Sequence, residues 1–360
     1  MKTFLASMAA VCALGLSAGE EPLVFVAGYD NTVTCFSLDE ATGKLTELSK
    51  SDCGKNPTYM AWHPSRKFIY AANENSPGMI SAYSIDPKDG KLTKLNEVSS
   101  GGNGPCHIVV HPDGKWVFAG NYGSGHIGIV PLKPDGSFGT PLDPVLGGKN
   151  AHQIVIDPSG KFLLVPFLGT NVVNQYAFDE ATGKLTPVEP ANAAASALKA
   201  GPRHLALHPG MKYAYVINEH GSTIDRFEYN KEKGVLSSPL SVPTLPPGTD
   251  LKGKSTAHIV VSPDGKFVYG SNRGHDSIAI YAVNAADGTL TFIAHETAGG
   301  EIKTPRDFSL DLTGKYCIVA SQGANYVTVF SRDAATGKLE KIGKYTVAPK
   351  PSFVGVMARP

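Results

Sequence analysis

Cysteine is scarce, with 5 in 360 residues, and no two are spaced as CxxC. That argues against a disulfide-dense scaffold, a zinc site of the common cysteine type and a thioredoxin-like redox pair. Neither sign of charge is in excess: 33 Lys and Arg meet 32 Asp and Glu, the formal net charge is +1, and no long run of one sign occurs. A nucleic-acid partner calls for a basic stripe, so none is expected. Hydrophobic runs are short. The longest, Phe4 to Leu16, falls below the roughly 20 residues that a membrane-spanning helix needs, so no membrane partner is expected.

That apolar run follows Lys2 and precedes the small residues Ser17-Ala18-Gly19. This order is that of a secretory signal peptide, with cleavage after Ala18. Residues 1–18 are therefore expected to be removed on export, to the periplasm or beyond the cell, leaving a soluble single domain over 22–360. The mature chain keeps Cys35, Cys53, Cys106 and Cys317. Export permits disulfides, and Cys35 and Cys53 are the one close pair, but no bridge is assigned.

Glycine and proline are plentiful, at 39 and 26, beside 42% hydrophobic residues. This composition suits an ordered, turn-rich, all-β chain. One phrase recurs: a strand head, apolar alternation, His-Pro or Asp-Pro, Gly-Lys, an aromatic strand, a polar turn, a third strand, then Gly-Lys-Leu. The second strand reads KFIYAAN (67–73), KWVFAGN (115–121), KFLLVPF (161–167), KYAYVIN (212–218), KFVYGSN (266–272) and KYCIVAS (315–321). Alternating apolar positions mark a strand packed in a core. The closing turns carry Gly43, Gly90, Gly136, Gly183, Gly234, Gly288 and Gly337, at intervals of 47, 46, 47, 51, 54 and 49 residues.

Seven units of this length with four strands each predict a seven-bladed β-propeller. The first unit begins directly with LVFVAGY (23–29) and lacks an innermost strand, whereas PSFVGVMARP (351–360) reads as an innermost strand without a blade. Pairing the two closes the ring and removes the exposed edges that a solenoid would leave.

Strand direction sorts the loops. If each innermost strand starts at the upper face, the second strand ends there too, and the Gly-Lys-Leu turns lie below. Alignment of the innermost heads gives one column of Tyr59, His107, Gln153, His204, His258 and Asp307. The column before it reads Thr58, Cys106, His152, Arg203, Ala257 and Arg306. Polar and ionisable residues at the heads of core strands are expected to ring the upper channel mouth. The second-strand ends add Asn73-Glu74, Asn121-Tyr122, Asn218-Glu219 and Asn272-Arg273, and the longest insertions, about 186–200 and 238–256, join the same face.

The repeated Asn suit the turns themselves. His63, His111 and His208 of the lower His-Pro turns also recur and are expected to be structural. His152, Arg203, Glu219, Arg273 and Arg306 do not follow the repeat, and a charge beside a low-dielectric channel is costly unless paired or used. Arginines around one cavity suit carboxylate or phosphate, and a glutamate with a histidine can move protons. Cys106 and His107 are neighbours on one strand and should point to opposite faces, which disfavours a thiol–imidazole pair. His107, His204 and His258 sit on different blades, which disfavours a shared metal.

The motifs GPRH (201–204), NEH (218–220), SNRG (271–274), HPDGK (111–115) and the TGKL turns make the whole mature chain resemble the seven-bladed-propeller lactonase family. That family includes propeller-type bacterial 6-phosphogluconolactonases and the fungal carboxymuconate lactonizing enzyme. The resemblance implies a site in the channel mouth that needs no metal and no cofactor. By position it implies Arg203, Glu219 and Arg273 as catalytic residues, with His152 as the neighbouring histidine. His107, His204, His258, Arg306 and Asn121 are expected to contact substrate.

The expected activity is hydrolysis of a small anionic sugar-acid lactone by a monomer. A non-catalytic exported propeller that binds a ligand, and a muconate-type cycloisomerase, are the alternatives. Two features depart from the family: an export signal, and Phe167-Leu168 at a second-strand end where other blades are polar, which is expected to give an apolar wall.

Overall fold

The structure is a computed structural model that describes residues 21–360; the expected signal peptide and its cleavage point after Ala18 lie outside the described residues. Seven four-stranded antiparallel sheets make up the molecule. In the first blade Pro351–Met357 is innermost, followed outward by Leu23–Gly28, Thr32–Leu38 and Leu45–Asp52. The closing pair runs from Leu23 opposite Met357 to Gly28 opposite Pro351. The innermost strands of the following blades are Pro57–Trp62, Pro105–Val110, Val155–Ile156, Pro202–Leu207, Ser255–Val261 and Pro305–Leu310. Seven four-stranded blades closed by the C-terminal strand is the architecture that the repeats predict.

There is no central core. The buried apolar residues form seven separate clusters, one in each gap between adjacent blades. Alternation dictates this, since every strand has a neighbouring blade on each side. Cys35, Cys53, Cys106 and Cys317 are buried and unbridged.

Repeated side chains staple blade to blade at the lower face. The Nε2 atoms of His63, His111 and His208 lie 2.9, 2.8 and 3.0 Å from the carbonyls of Gly114, Gly160 and Gly265, each in the next blade. Tyr70, Tyr215 and Tyr269 donate their hydroxyls to the turn carbonyls of Gly136, Gly288 and Gly337. The turn glycines are needed for geometry and for room. Gly183 has φ +75°, and a Cβ there would stand 2.6 Å from the Trp116 ring.

One irregularity shapes the channel. In the second, third, fifth and seventh blades the register slips at the same point of the innermost strand, skipping Thr58, Cys106, Arg203 and Arg306. The closing strand slips beside Ser352, and the sixth blade beside Ala257 and His258. A bulge of this kind re-aims side chains. It lets two successive residues serve the channel, which a regular strand does not.

Candidate active site

The bulges split the two columns of strand-head residues into two levels. At the upper level is a cavity of about 240 Å³, lined by Tyr29, Glu74, Cys106, Tyr122, His152, Arg203, Glu219, Arg273 and Arg306. All four residues expected to be catalytic line it, as does Arg306.

Glu219 organises one wall. Its Oε2 accepts Nε of Arg203 at 2.7 Å and lies 3.1 Å from Nη2 of Arg273. Each guanidinium is also pinned to the sixth blade: Arg203 Nη1 donates to the Ala257 carbonyl and Arg273 Nη2 to the Thr256 carbonyl, both at 2.6 Å. Arg203 is 2% exposed. Burial pulls its pKa down to about 10 against the pull of Glu219, so it stays a cation at neutral pH. Burial alone would raise the pKa of Glu219, but the two arginines outweigh it and hold the carboxylate below its ordinary range. Arg273 Nε is buried without a partner.

His152 faces this wall. Burial, with Arg203 and Arg306 nearby, drives its pKa well below the ordinary value, so the ring is neutral at pH 7. Its Nδ1 lies 3.7 Å from Cys106 Sγ. The Cys106 thiol, pushed up to about 12 by burial, donates to the carbonyl of His152 at 3.4 Å. Such a thiol supports the histidine and is a poor nucleophile.

Tyr29, Glu74 and Arg306 form the opposite wall. The Tyr29 hydroxyl donates to Glu74 Oε2 at 2.7 Å, and the Arg306 guanidinium lies 5.3 Å from the centre of the Tyr29 ring. Burial disfavours the Arg306 charge, but Tyr29 and Glu74 more than offset it. Among the described residues no carboxylate comes within ion-pair distance of Arg306.

His107, His204 and His258 were expected to touch substrate, but they do not line the upper cavity. They form its floor with Tyr59, Gln153 and Asp307. Rings pack at 4.2 Å for Tyr59–His107, 5.0 Å for His152–His204 and 4.9 Å for His204–His258. The Nδ1 atoms of His204 and His258 approach to 2.6 Å. That is closer than strands on different blades suggested, and it is a hydrogen bond between one protonated and one bare nitrogen. Two ligands of one zinc, each about 2.0 Å from the metal, would sit further apart.

Burial lowers His107 and His258 to about 3 and raises Asp307 to about 7. Asp307 Oδ2 accepts the Val354 amide at 2.9 Å, while Oδ1, 3.4 Å from His258 Nδ1, lacks a hydrogen-bond partner. Below this floor the channel widens to about 610 Å³ between largely apolar strands such as Met60–Trp62 and Ile154–Ile156.

Asn121 also misses the cavity. It is fully buried, and its Nδ2 bonds the carbonyls of Ser100, Ala119 and His126. Asn73 and Asn272 clamp backbone in the same way. Phe167 packs in the gap between the third and fourth blades, Leu168 is buried, and neither lines the cavity. The expected ring at the mouth therefore becomes a wall and a floor. Tyr29, which was not singled out, belongs to the wall, as do Glu74 and Tyr122, which were placed at the mouth but given no role. The signal was in the repeat: Tyr29, Glu74, Tyr122, Glu219 and Arg273 occupy one position, just past or at the end of the second strand.

Fold and cavity define a closed β-propeller with a small cavity of charged and polar side chains at one end of its channel. The family described as lactonase, 7-bladed beta-propeller, matches residues 23–356. The chain is 32% identical over 342 residues to the 6-phosphogluconolactonase of Bacillus subtilis, covering 92% of this chain and 95% of that protein. It is 31% identical over 320 residues to the 6-phosphogluconolactonase of Klebsiella pneumoniae, covering 89% and 94%. The periplasmic gluconolactonase of Pseudomonas aeruginosa superposes with a TM-score of 0.86 at 25% identity, covering 94% of this chain and 99% of that one. The chain belongs to the seven-bladed β-propeller lactonase family.

Proposed function

We propose that the upper cavity hydrolyses the lactone of a sugar acid, with His152 as general base and Arg203 and Arg273 as the oxyanion donors. The observation that carries this is the shared grip of Glu219 on both guanidiniums beside a neutral His152 in one cavity. Donors fixed in advance, in a site partly closed to water, stabilise charge as it develops. Glu219 holds them in place, and its lowered pKa makes it a weak base.

In the reaction, His152 Nε2 takes a proton from water as the water oxygen bonds to the lactone carbonyl carbon. The carbonyl oxygen becomes anionic between the arginines. That anion offsets the positive field that depresses the His152 pKa, so the ring gains basicity as it receives the proton. Collapse breaks the ring C–O bond, and the imidazolium returns the proton to the leaving oxygen.

A binding platform would present a wide, flat mouth, and a walled and floored pocket argues against one. The chain also carries the features of an exported protein, and one neighbour in structure is named periplasmic. Action outside the cytoplasm on an anionic lactone is part of this proposal.

The test is turnover of 6-phosphogluconolactone and glucono-δ-lactone by protein lacking residues 1–18, against spontaneous hydrolysis. A muconate lactone in the panel reports cycloisomerisation. Arg203→Ala should cost roughly 100-fold or more in kcat. An unchanged kcat would remove Arg203 from the chemistry, and no turnover of any lactone would overturn the assignment.

A further inference from the structure

The chamber below the floor has no part in the reaction above it, and its charge is of the opposite kind. Its volume is about 610 Å³, within the roughly 300–1,000 Å³ of small-molecule pockets. Residues of six innermost strands line it, most of them apolar, and at its base it reaches Pro263 and Asp311 in the lower turns. Among the described residues no lysine or arginine lines this chamber, whereas Arg203, Arg273 and Arg306 line the upper cavity.

Two carboxyl groups line it, and they differ. Asp311 is committed to its own turn, where its oxygens accept the Thr313 amide and hydroxyl and the Tyr316 amide. Asp307, at the top, is not. Its side chain is 4% exposed, Oδ2 takes the Val354 amide, and Oδ1 has no hydrogen-bond partner. Among the described residues only His258 comes within ion-pair distance of it, and burial leaves that ring neutral. Burial also outweighs the pull of the Val354 amide and of Arg203 and Arg306 across the floor, so the carboxyl rises to about 7. A buried acceptor without a donor is costly unless a ligand completes it.

We propose that the lower chamber is a second ligand site, separate from the lactone cavity, for a primary amine on a compact apolar body, its ammonium donating to Asp307 Oδ1. An alcohol can make the hydrogen bond, but only a cation also supplies the missing counter-charge. A carboxylate would meet Asp307 with like charge. The apolar strands below Asp307 favour a ligand body that leaves water. This site stands whether or not the upper cavity opens lactones.

The experiment titrates the purified protein with 1-adamantylamine, 1-adamantanol and adamantane-1-carboxylate, three head groups on one body. Calorimetry and the emission of Trp62, which lines the chamber, report binding. At pH 8 the amine should bind about tenfold more tightly than the alcohol, and the carboxylate most weakly. Asp307→Asn should erase the advantage of the amine. Ser309→Phe, which narrows the chamber two residues further along the same strand, should weaken all three.

Amine affinity should also fall about tenfold from pH 8 to pH 6, as Asp307 takes up a proton. Its titratable surroundings do not change charge in that window. His107, His152, His204 and His258 are held neutral by burial, Tyr59 and Cys106 stay protonated, and Arg203 and Arg306 stay charged. Equal affinity for amine and alcohol, undiminished amine binding in either variant, a flat pH profile, or no amine binding at all overturns the proposal.

Discussion

Glu219 Oε2 is shared by two guanidiniums, and that sharing sets the outcome of substitution. Glu219→Gln leaves Arg203 and Arg273 facing each other without a counter-charge. Removing one partner of a buried pair costs about 3–5 kcal/mol, and Arg203 at 2% exposure belongs in that class, although the partly open Glu219 puts the loss toward the lower end. Denaturant midpoints should fall, with kcat falling further than stability explains. Cys106→Ser should behave differently. The thiol supports the His152 carbonyl and ring from behind, and its pKa near 12 keeps it protonated. Activity within a few-fold of wild type and resistance to iodoacetamide are expected, and rapid alkylation with loss of turnover would refute this. That Arg203, Glu219, Arg273 and His152 gather at one mouth was legible because they break the repeat. The split between wall and floor was not. A bulge shifts register by one residue, and one residue is the whole difference between facing sides of a strand. Nothing in Pro-Cys-His or Pro-Arg-His announces that shift.

At the scale of elements, the blades owe their spacing to staples that the sequence displays openly. His63, His111 and His208 recur in His-Pro turns and each meets a glycine carbonyl of the next blade. Loss of such a bond leaves a carbonyl unpaired, at about 1–3 kcal/mol. His111→Ala should lower stability by that amount and leave kcat of the folded enzyme unchanged, because His111 lies at the far end of its strand from the cavity. Parallel chemical denaturation and kinetics would check both halves. Gly183→Ala should cost more than a surface change, since it forces a side chain into φ +75° and against Trp116. Turn spacing was legible because each turn needs its glycine. Tyr29 was harder to see, because its blade is split between the two ends of the chain and carries no GK-aromatic motif ahead of it.

For the whole molecule, the channel floor governs the response to acid. Burial depresses His107, His152, His204 and His258, and it raises Asp307 to about 7. A depressed histidine contributes stability above its unfolded pKa near 6.5 and loses it as pH falls toward the folded value. The raised aspartate acts oppositely: its contribution is full below about 4 and is lost as pH climbs to about 7. Between roughly pH 4 and 6 four histidines take up protons on unfolding and one aspartate releases one, a net uptake of about three. Stability should therefore fall steeply as pH drops below 6.5, and Asp307→Asn should steepen that fall by removing the opposing term. Melting temperatures from pH 4 to 8 would show it, and a flat profile would count against a neutral floor.

The pairing of Leu23–Gly28 with Pro351–Met357 also governs timing. Tyr29 and Arg306 face one another across the seam that this pairing seals, and the Tyr29 amide is held by the Lys350 carbonyl. The first-made strand must wait for the last-made one before that wall exists. Six blades can form as they are synthesised without yielding a complete pocket. Turnover of a substrate that needs both walls thus reports that the final strand has docked, and in refolding it should be regained after the bulk of the β-structure has returned.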